Sequence, residues 1–261
     1  GFLNIRSIKV FYDGSLGSRT ALMEEPYSDQ IGKSLATERI STKKILQLGR
    51  KAADKGFQMA VHAIGDKGNN QVLKLYEEIL DTNGIFDHRW RIEHAQVLFP
   101  NFYSRAAELK VLASMQSSHA VGDSKWAEER IGSERIQDAY AWQNILKSGV
   151  RLLLNSDLPG EPWKPMETLY FAVNRKPLDS TKESKGWYMN QALTVEEALK
   201  AMTIENAHGA FQEKKLGSIE INKLADFIII DQNPLTVVSE DIKNIKVLET
   251  WVSGIKVNSI N

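Results

Sequence analysis

Apolar positions along this chain follow two alternating spacings. Short runs rich in β-branched and aromatic residues occur at IRSIKVFYD, FQMAVHAIG, WRIEHAQ, VLASMQ and VRLLLNSD, and each reads as a strand. Between them the apolar residues fall at helical spacing. TKKILQLGRKAADKG places Ile45, Leu46, Leu48 and Ala52 on one face and stops at Gly56. Asn69 to Leu80 carries Val72, Leu75, Tyr76 and Ile79, with Asn83-Gly84 as the stop. PNFYSRAAELK predicts a short helix, and Glu134 to Ser148 a longer one ending at Gly149. Five strand and helix units in strict alternation imply a parallel sheet with helical crossovers, either a closed barrel or an open doubly wound sheet.

The residues at the strand ends choose between the two. An open dinucleotide-binding sheet needs a glycine-rich first turn, yet DGSLGSRT lacks the G-x-G-x-x-G spacing, and no P-loop motif occurs anywhere. Lys9, His62, His94, Gln116 with His119, and Asp157 instead mark five successive strand ends, where a barrel collects its catalytic groups. Taken singly, each has a plainer reading: a histidine after a strand is often a hydrogen-bonded loop residue, and Asp157 before Leu158-Pro159 caps a turn. Taken together, His62, His94 and Asp157 are three nitrogen and oxygen donors of the kind a catalytic zinc-type centre uses while leaving a position open for water. Lys9 joins such a set only if carbamylated, because an ammonium repels a cation. His88 and His208 read as structural or exposed. In DGSLGSRTA, Ser15, Ser18 and Arg19 are candidate substrate contacts, with a glycine-rich turn chosen for backbone shape as the competing reading.

Composition narrows the partners. Lys+Arg and Asp+Glu each total 33 in 261 residues, so no basic face is advertised for nucleic acid or anionic lipid, and a small molecule is the expected partner. The absence of cysteine excludes disulfides, thiolate metal sites and a cysteine nucleophile. No apolar run approaches the roughly 20 residues of a membrane helix, and GFLNIRSIKVF reads as a strand rather than a signal peptide. The cytoplasm is the favoured compartment, with any N-terminal targeting signal outside this chain.

In combination, KVFYDGSLGSRTA, VHAIGD, RIEHAQ, MQSSHAVGDSKWAEERIG, AYAWQNILKSGV, NSDLP and LGSIEINKLADFIIID resemble the YtcJ-like branch of the amidohydrolase superfamily, amidohydrolase family 3. The resemblance implies a (β/α)8 TIM-barrel-type metal-dependent hydrolase fold, a small β-sandwich built from both chain ends, and hydrolysis of an amide or related C–N bond. It implies a centre of one or two divalent ions, expected to be zinc. By this resemblance His62 and His94 are metal ligands, Lys9 when carboxylated bridges two metals, and Asp157 is both a ligand and the general base beside the hydrolytic water. His119 matches the substrate-facing histidine of a Q-P-x-H segment and, with Gln116, Ser15 and Arg19, completes the substrate contacts. Ser117 stands in place of that segment's proline, and Asn155 in place of the glycine of a G-S-D motif.

The family's H-x-H pair at the first barrel strand has no counterpart here. The fold is therefore expected to be incomplete: residues 1–210 supply about the last five strand and helix units, and 211–261 the C-terminal part of the composite β-sandwich. Such a chain, possessing half of the ligand set, is expected to bind metal poorly, and its uncovered strand edges favour a homo-oligomer. The reading from another class is a non-catalytic barrel remnant or partner-binding fragment.

Overall fold

The computed structural model describes residues 3–30, 32, 36–83 and 86–259. Its main sheet has five strands in sequential order, β1 (Ser7–Phe11), β2 (Gln58–Ala63), β3 (Arg91–His94), β4 (Leu112–Gln116) and β5 (Leu152–Asn155). The pairings β1–β2, β2–β3 and β3–β4 are parallel, as the alternation requires. Every residue of β2 is buried, which is why its sequence is apolar without alternation; β1 is an edge strand and leaves Phe11 58% exposed.

The chain divides into two compact units, residues 1–115 with 123–152, and 116–122 with 153–261. In the first, α1 (Thr42–Asp54) starts at an N-cap where Ser41 accepts the Lys44 N–H, and buries Ile45, Gly49 and Ala52. Helix α2 (Asp66–Asn83) buries Val72, Leu75, Tyr76 and Ile79, the predicted face. Gly84, the predicted stop, lies outside the described residues. Within that helix Asn69 is fully buried, and its Nδ2 lies 2.9–3.3 Å from the carbonyl oxygens of Ala63, Ile64, Gly65 and Val97. It ties the loop after β2 to the loop after β3.

His88 is buried and structural. Its Nδ1 accepts the Trp90 N–H at 2.8 Å and its Nε2 donates to the Leu109 carbonyl at 2.7 Å, so the ring is neutral and satisfied on both sides. Burial holds its pKa below the ordinary value. Below about pH 6.5 the unfolded chain takes up a proton that the folded His88 refuses. Stability from this residue is thus fully present above that pH and declines as the pH falls through it. Denaturation of the wild type and His88→Asn across pH 5 to 8 should show a shallower acid-side slope in the variant, whatever its absolute loss; parallel slopes would refute the assignment.

The helix predicted from Glu134 to Ser148 is broken. Helices α3 (Phe102–Glu108), α4 (Ser117–Asp123), α5 (Ala127–Arg135) and α6 (Trp142–Lys147) precede β5, and between α5 and α6 the chain bends away to form an antiparallel bridge, Ala139 with Val97. Tyr140, at φ 50°, donates its N–H to the Gln96 carbonyl at 2.8 Å. A non-local pairing overrides the local helical pattern at this point.

In the second unit, α7 (Pro165–Asn174) opens with proline in its first turn, and α8 (Val195–Met202) begins with a capping box between Thr194 and Glu197, a device contributing about 1 kcal/mol. Helix α9 (Ile204–Gly209) holds Asn206, whose Nδ2 donates to the Leu154 carbonyl of β5 at 2.8 Å. His208 is half-buried in the last turn of α9. The tail forms a separate three-stranded antiparallel sheet, β6 (Phe227–Ile230), β7 (Val247–Val252) and β8 (Ile255–Ser259), with Phe227 stacked on Trp251. VLETWVSGIKV is thus a hairpin rather than one strand, because Ser253 and Gly254 both take positive φ, 52° and 76°, and turn the chain in two residues. No helix among the described residues is long and apolar enough to cross a membrane.

Candidate metal centre

His62 and His94 come together. Their rings meet edge to face with centroids 4.5 Å apart, and the residues are 8% and 7% exposed. Strand geometry alone would not bring them into contact. His62 lies beside Glu93 and His94 beside Ala63 in the β2–β3 register, so alternation places the two histidines on opposite faces. The backbone at His94 turns left-handed, φ 76°, followed by Ala95 at 42°, which releases His94 from the alternation. Two consecutive non-glycine residues in this region are strained, and they persist because Val97 and Gln96 on one side are bonded to Ala139 and Tyr140. Gln96 is further held by the Asp123 carboxylate at 3.1 Å and the Tyr140 hydroxyl at 2.8 Å.

The surroundings of His62 set its tautomer. Its Nε2 lies 3.1 Å from the Gly14 carbonyl, which only accepts, so Nε2 carries the proton and the lone pair falls on Nδ1. A carbonyl on the far nitrogen is the usual support for a ligating imidazole.

Asp13 lies 3.4 Å from the same Nε2 and was not among the residues singled out from sequence, where Asp13-Gly14 reads as an ordinary turn. It is 1% exposed. Its Oδ2 accepts the N–H groups of Leu22 and Gly65, both at 2.9 Å, and its Oδ1 that of Ile64 at 3.0 Å. Burial raises its pKa to about 6 against the opposing pull of these three donors. Gly65 of VHAIGD is required here, because a Cβ would strike the Leu22 carbonyl.

The other candidates are placed as follows. Lys9 lies mid-strand in β1, exposed, with its ammonium 5.0 Å from the Phe11 ring centroid. Ser15 bonds Ser18 through their hydroxyls at 2.7 Å. Arg19 makes a bidentate pair with Asp29, 3.0 and 2.7 Å, which Arg130 joins at 3.2 Å. In the second unit, the Asn155 side-chain oxygen accepts from Gln116 Nε2 at 2.9 Å and from the Asp157 N–H at 3.1 Å. The latter is an Asx-type turn that supports Asp157 at φ 53°, so asparagine substitutes for glycine here by bracing the bend with its side chain. His119, half-buried, has its Nε2 3.5 Å from Glu161, a second residue that sequence reading passed over because it lies in an irregular loop.

Each unit carries donors of the kind that hold a metal ion, His62 and His94 in the first and His119 and Asp157 in the second. Imidazole nitrogen with carboxylate oxygen, and no thiolate, fits a borderline divalent ion. Parallel strands followed by such donors are a feature this chain shares with metal-dependent hydrolases of known structure. The model of the amidohydrolase family matches residues 1–257. The chain is 37% identical over 254 residues to Protein LONG AFTER FAR-RED 3 of Arabidopsis thaliana, covering 97% of this chain and 43% of the relative. It is 32% identical to the putative amidohydrolase YtcJ of Bacillus subtilis, covering 97% and 47%. Among solved structures, an uncharacterized metal-dependent hydrolase from Pyrococcus horikoshii OT3 superposes with a TM-score of 0.79 at 33% identity, covering 90% of this chain and 46% of that one. The chain belongs to the amidohydrolase family, and it spans about half the length of the curated relatives it matches.

Proposed function

We propose that this chain is the carboxyl-terminal part of an enzyme that hydrolyses an amide or related C–N bond of a small molecule at a divalent metal centre. In this reading residues 1–210 belong to a (β/α)8 barrel and 211–261 to a composite β-sandwich. The observation that carries the reading is the buried contact of His62 and His94, bought with a strained backbone and a fixed His62 tautomer.

His62, His94 and Asp157 would hold the ion, zinc by donor type, with Lys9 contributing if carboxylated, and His119 would face the substrate. Bound there, such an ion would polarise a carbonyl and lower the pKa of its water to about 7. Asp157 takes the proton of the attacking water and returns it to the departing nitrogen. His119, whose Nε2 lies 3.5 Å from Glu161, donates a hydrogen bond to the carbonyl oxygen as negative charge builds on it. Gln116 and the loop carrying Ser15 and Arg19 orient the substrate.

Elemental analysis and turnover of an N-acyl panel, on the complete gene product carrying this chain, test the assignment. Stoichiometric zinc and metal-dependent hydrolysis are expected, and His94→Ala should lose both together. Full hydrolysis by a chelated, metal-free protein would overturn the metal-dependent reading, and absence of turnover with metal bound would favour the non-catalytic one.

A further inference from the structure

Three non-glycine residues of the first unit hold a positive φ around one hydrogen-bonded ring of side chains: His94 at 76°, Ala95 at 42° and Tyr140 at 50°. The ring joins Gln96, Tyr140 and Asp123, which come from the loop after β3, the approach to α6 and the end of α4. We propose that Asp123 is a positioning residue for the metal centre, holding through Tyr140 and Gln96 the left-handed bend that brings His94 against His62. The inference rests on the metal-dependent reading for what the two histidines do, and on the ring's own geometry for the role of Asp123.

A carboxylate only accepts, so Asp123 sets the direction of every bond in the ring. The Tyr140 hydroxyl donates to Asp123 Oδ2 at 2.6 Å, and Gln96 Nε2 donates one hydrogen to the same oxygen at 3.1 Å. The second hydrogen of Gln96 Nε2 goes to the Tyr140 oxygen at 2.8 Å, and with it every donor of the ring is used. Turning the Gln96 amide over would set its oxygen against the carboxylate, so one orientation remains. Gln96 and Tyr140 are 3% and 1% exposed, and water does not compete for these groups.

Gln96 is thereby fixed through its backbone and its side chain. Its carbonyl accepts the Tyr140 N–H at 2.8 Å, and the next residue, Val97, bridges Ala139. Tyr140 is itself left-handed, so the backbone bond it gives to Gln96 depends on the same carboxylate that holds its hydroxyl. On the other side of the bend, His94 is in register with Ala63 of β2. The chain between these two fixed points takes up the mismatch as positive φ at His94 and Ala95. Freed from the ring, both residues would relax to the negative φ that side chains with a Cβ prefer. His94 would then fall back into the strand alternation, which points it away from His62.

Zinc affinity of the complete gene product, measured by competition with a chromophoric chelator, is the first readout. Asp123→Ala should weaken it by about 10–100-fold, the range over which outer hydrogen-bond partners act on a metal site. Adding Ala95→Gly to that variant should recover most of the loss, because glycine holds a positive φ without a brace. A role limited to general stability predicts no such recovery. The second readout needs no metal: in a crystal structure of metal-free Asp123→Ala, His94 or Ala95 should have returned to negative φ, with the ring contact of His62 and His94 broken. Tyr140→Phe, which removes one buried oxygen, should move both readouts the same way, and it decides the matter where Asp123→Ala cannot be purified. Unchanged zinc affinity, a bend that survives the substitution, or a loss that Ala95→Gly does not recover would each overturn the proposal. A wild-type protein that takes up no zinc would refute the metal-dependent reading instead, and the metal-free structure would then decide the role of Asp123 alone.

Discussion

Replacing Asp157 by Asn in the complete enzyme should lower kcat by about 10²–10⁴-fold, because the amide cannot take a proton from water and return it to the leaving nitrogen. The fold should be unaffected. Asp157 is exposed, its N–H bond to Asn155 is made by backbone, and asparagine accepts a left-handed φ such as 53° more readily than most residues. The change also removes a candidate metal oxygen, so zinc content is measured with the kinetics. Lost turnover with zinc retained identifies the base; lost zinc identifies the ligand role; unchanged kcat removes Asp157 from both.

Asp13→Asn should destabilise the protein by about 3 kcal/mol or more in chemical denaturation, although no substrate role is assigned to it. Asp13 accepts three backbone N–H groups with two oxygens. An asparagine keeps one oxygen for Leu22 and Gly65 and turns its amide hydrogens towards the Ile64 N–H, donor against donor. Turning the amide over leaves two donors facing donors instead of one. The penalty combines a lost charge-assisted bond with a buried N–H left unmatched, each about 1–3 kcal/mol. An Asp13→Asn protein as stable as wild type would mean that the two loops, after β1 and after β2, have other means of support.

The parallel sheet was legible because burial on both faces writes strands as unbroken apolar runs, and β2 is buried at every position. His62 and His94 were legible for a similar reason, as polar residues ending such runs. Their contact was not, since the strand period places them on opposite faces and only the φ of His94 reverses that. Helices α4 and α5 carry no clean apolar stripe, and Gly132, at φ 78°, interrupts α5. The break before α6 is set by Val97, more than forty residues upstream, which no local window contains. Asp13 escaped because an Asp-Gly turn is ordinary until the loops around it are in place.

Asn69 gives the site a collective property. A single carboxamide nitrogen in the first turns of α2 lies within hydrogen-bonding distance of carbonyls from two different loops, and the Val97 N–H returns a bond to Ile64 at 2.9 Å. Neither loop can detach alone without stranding a buried amide. Solvent hydrogen exchange at Ile64, Gly65 and Val97 is therefore governed by one shared opening event, so the histidines at the two strand ends are exposed to water together or not at all.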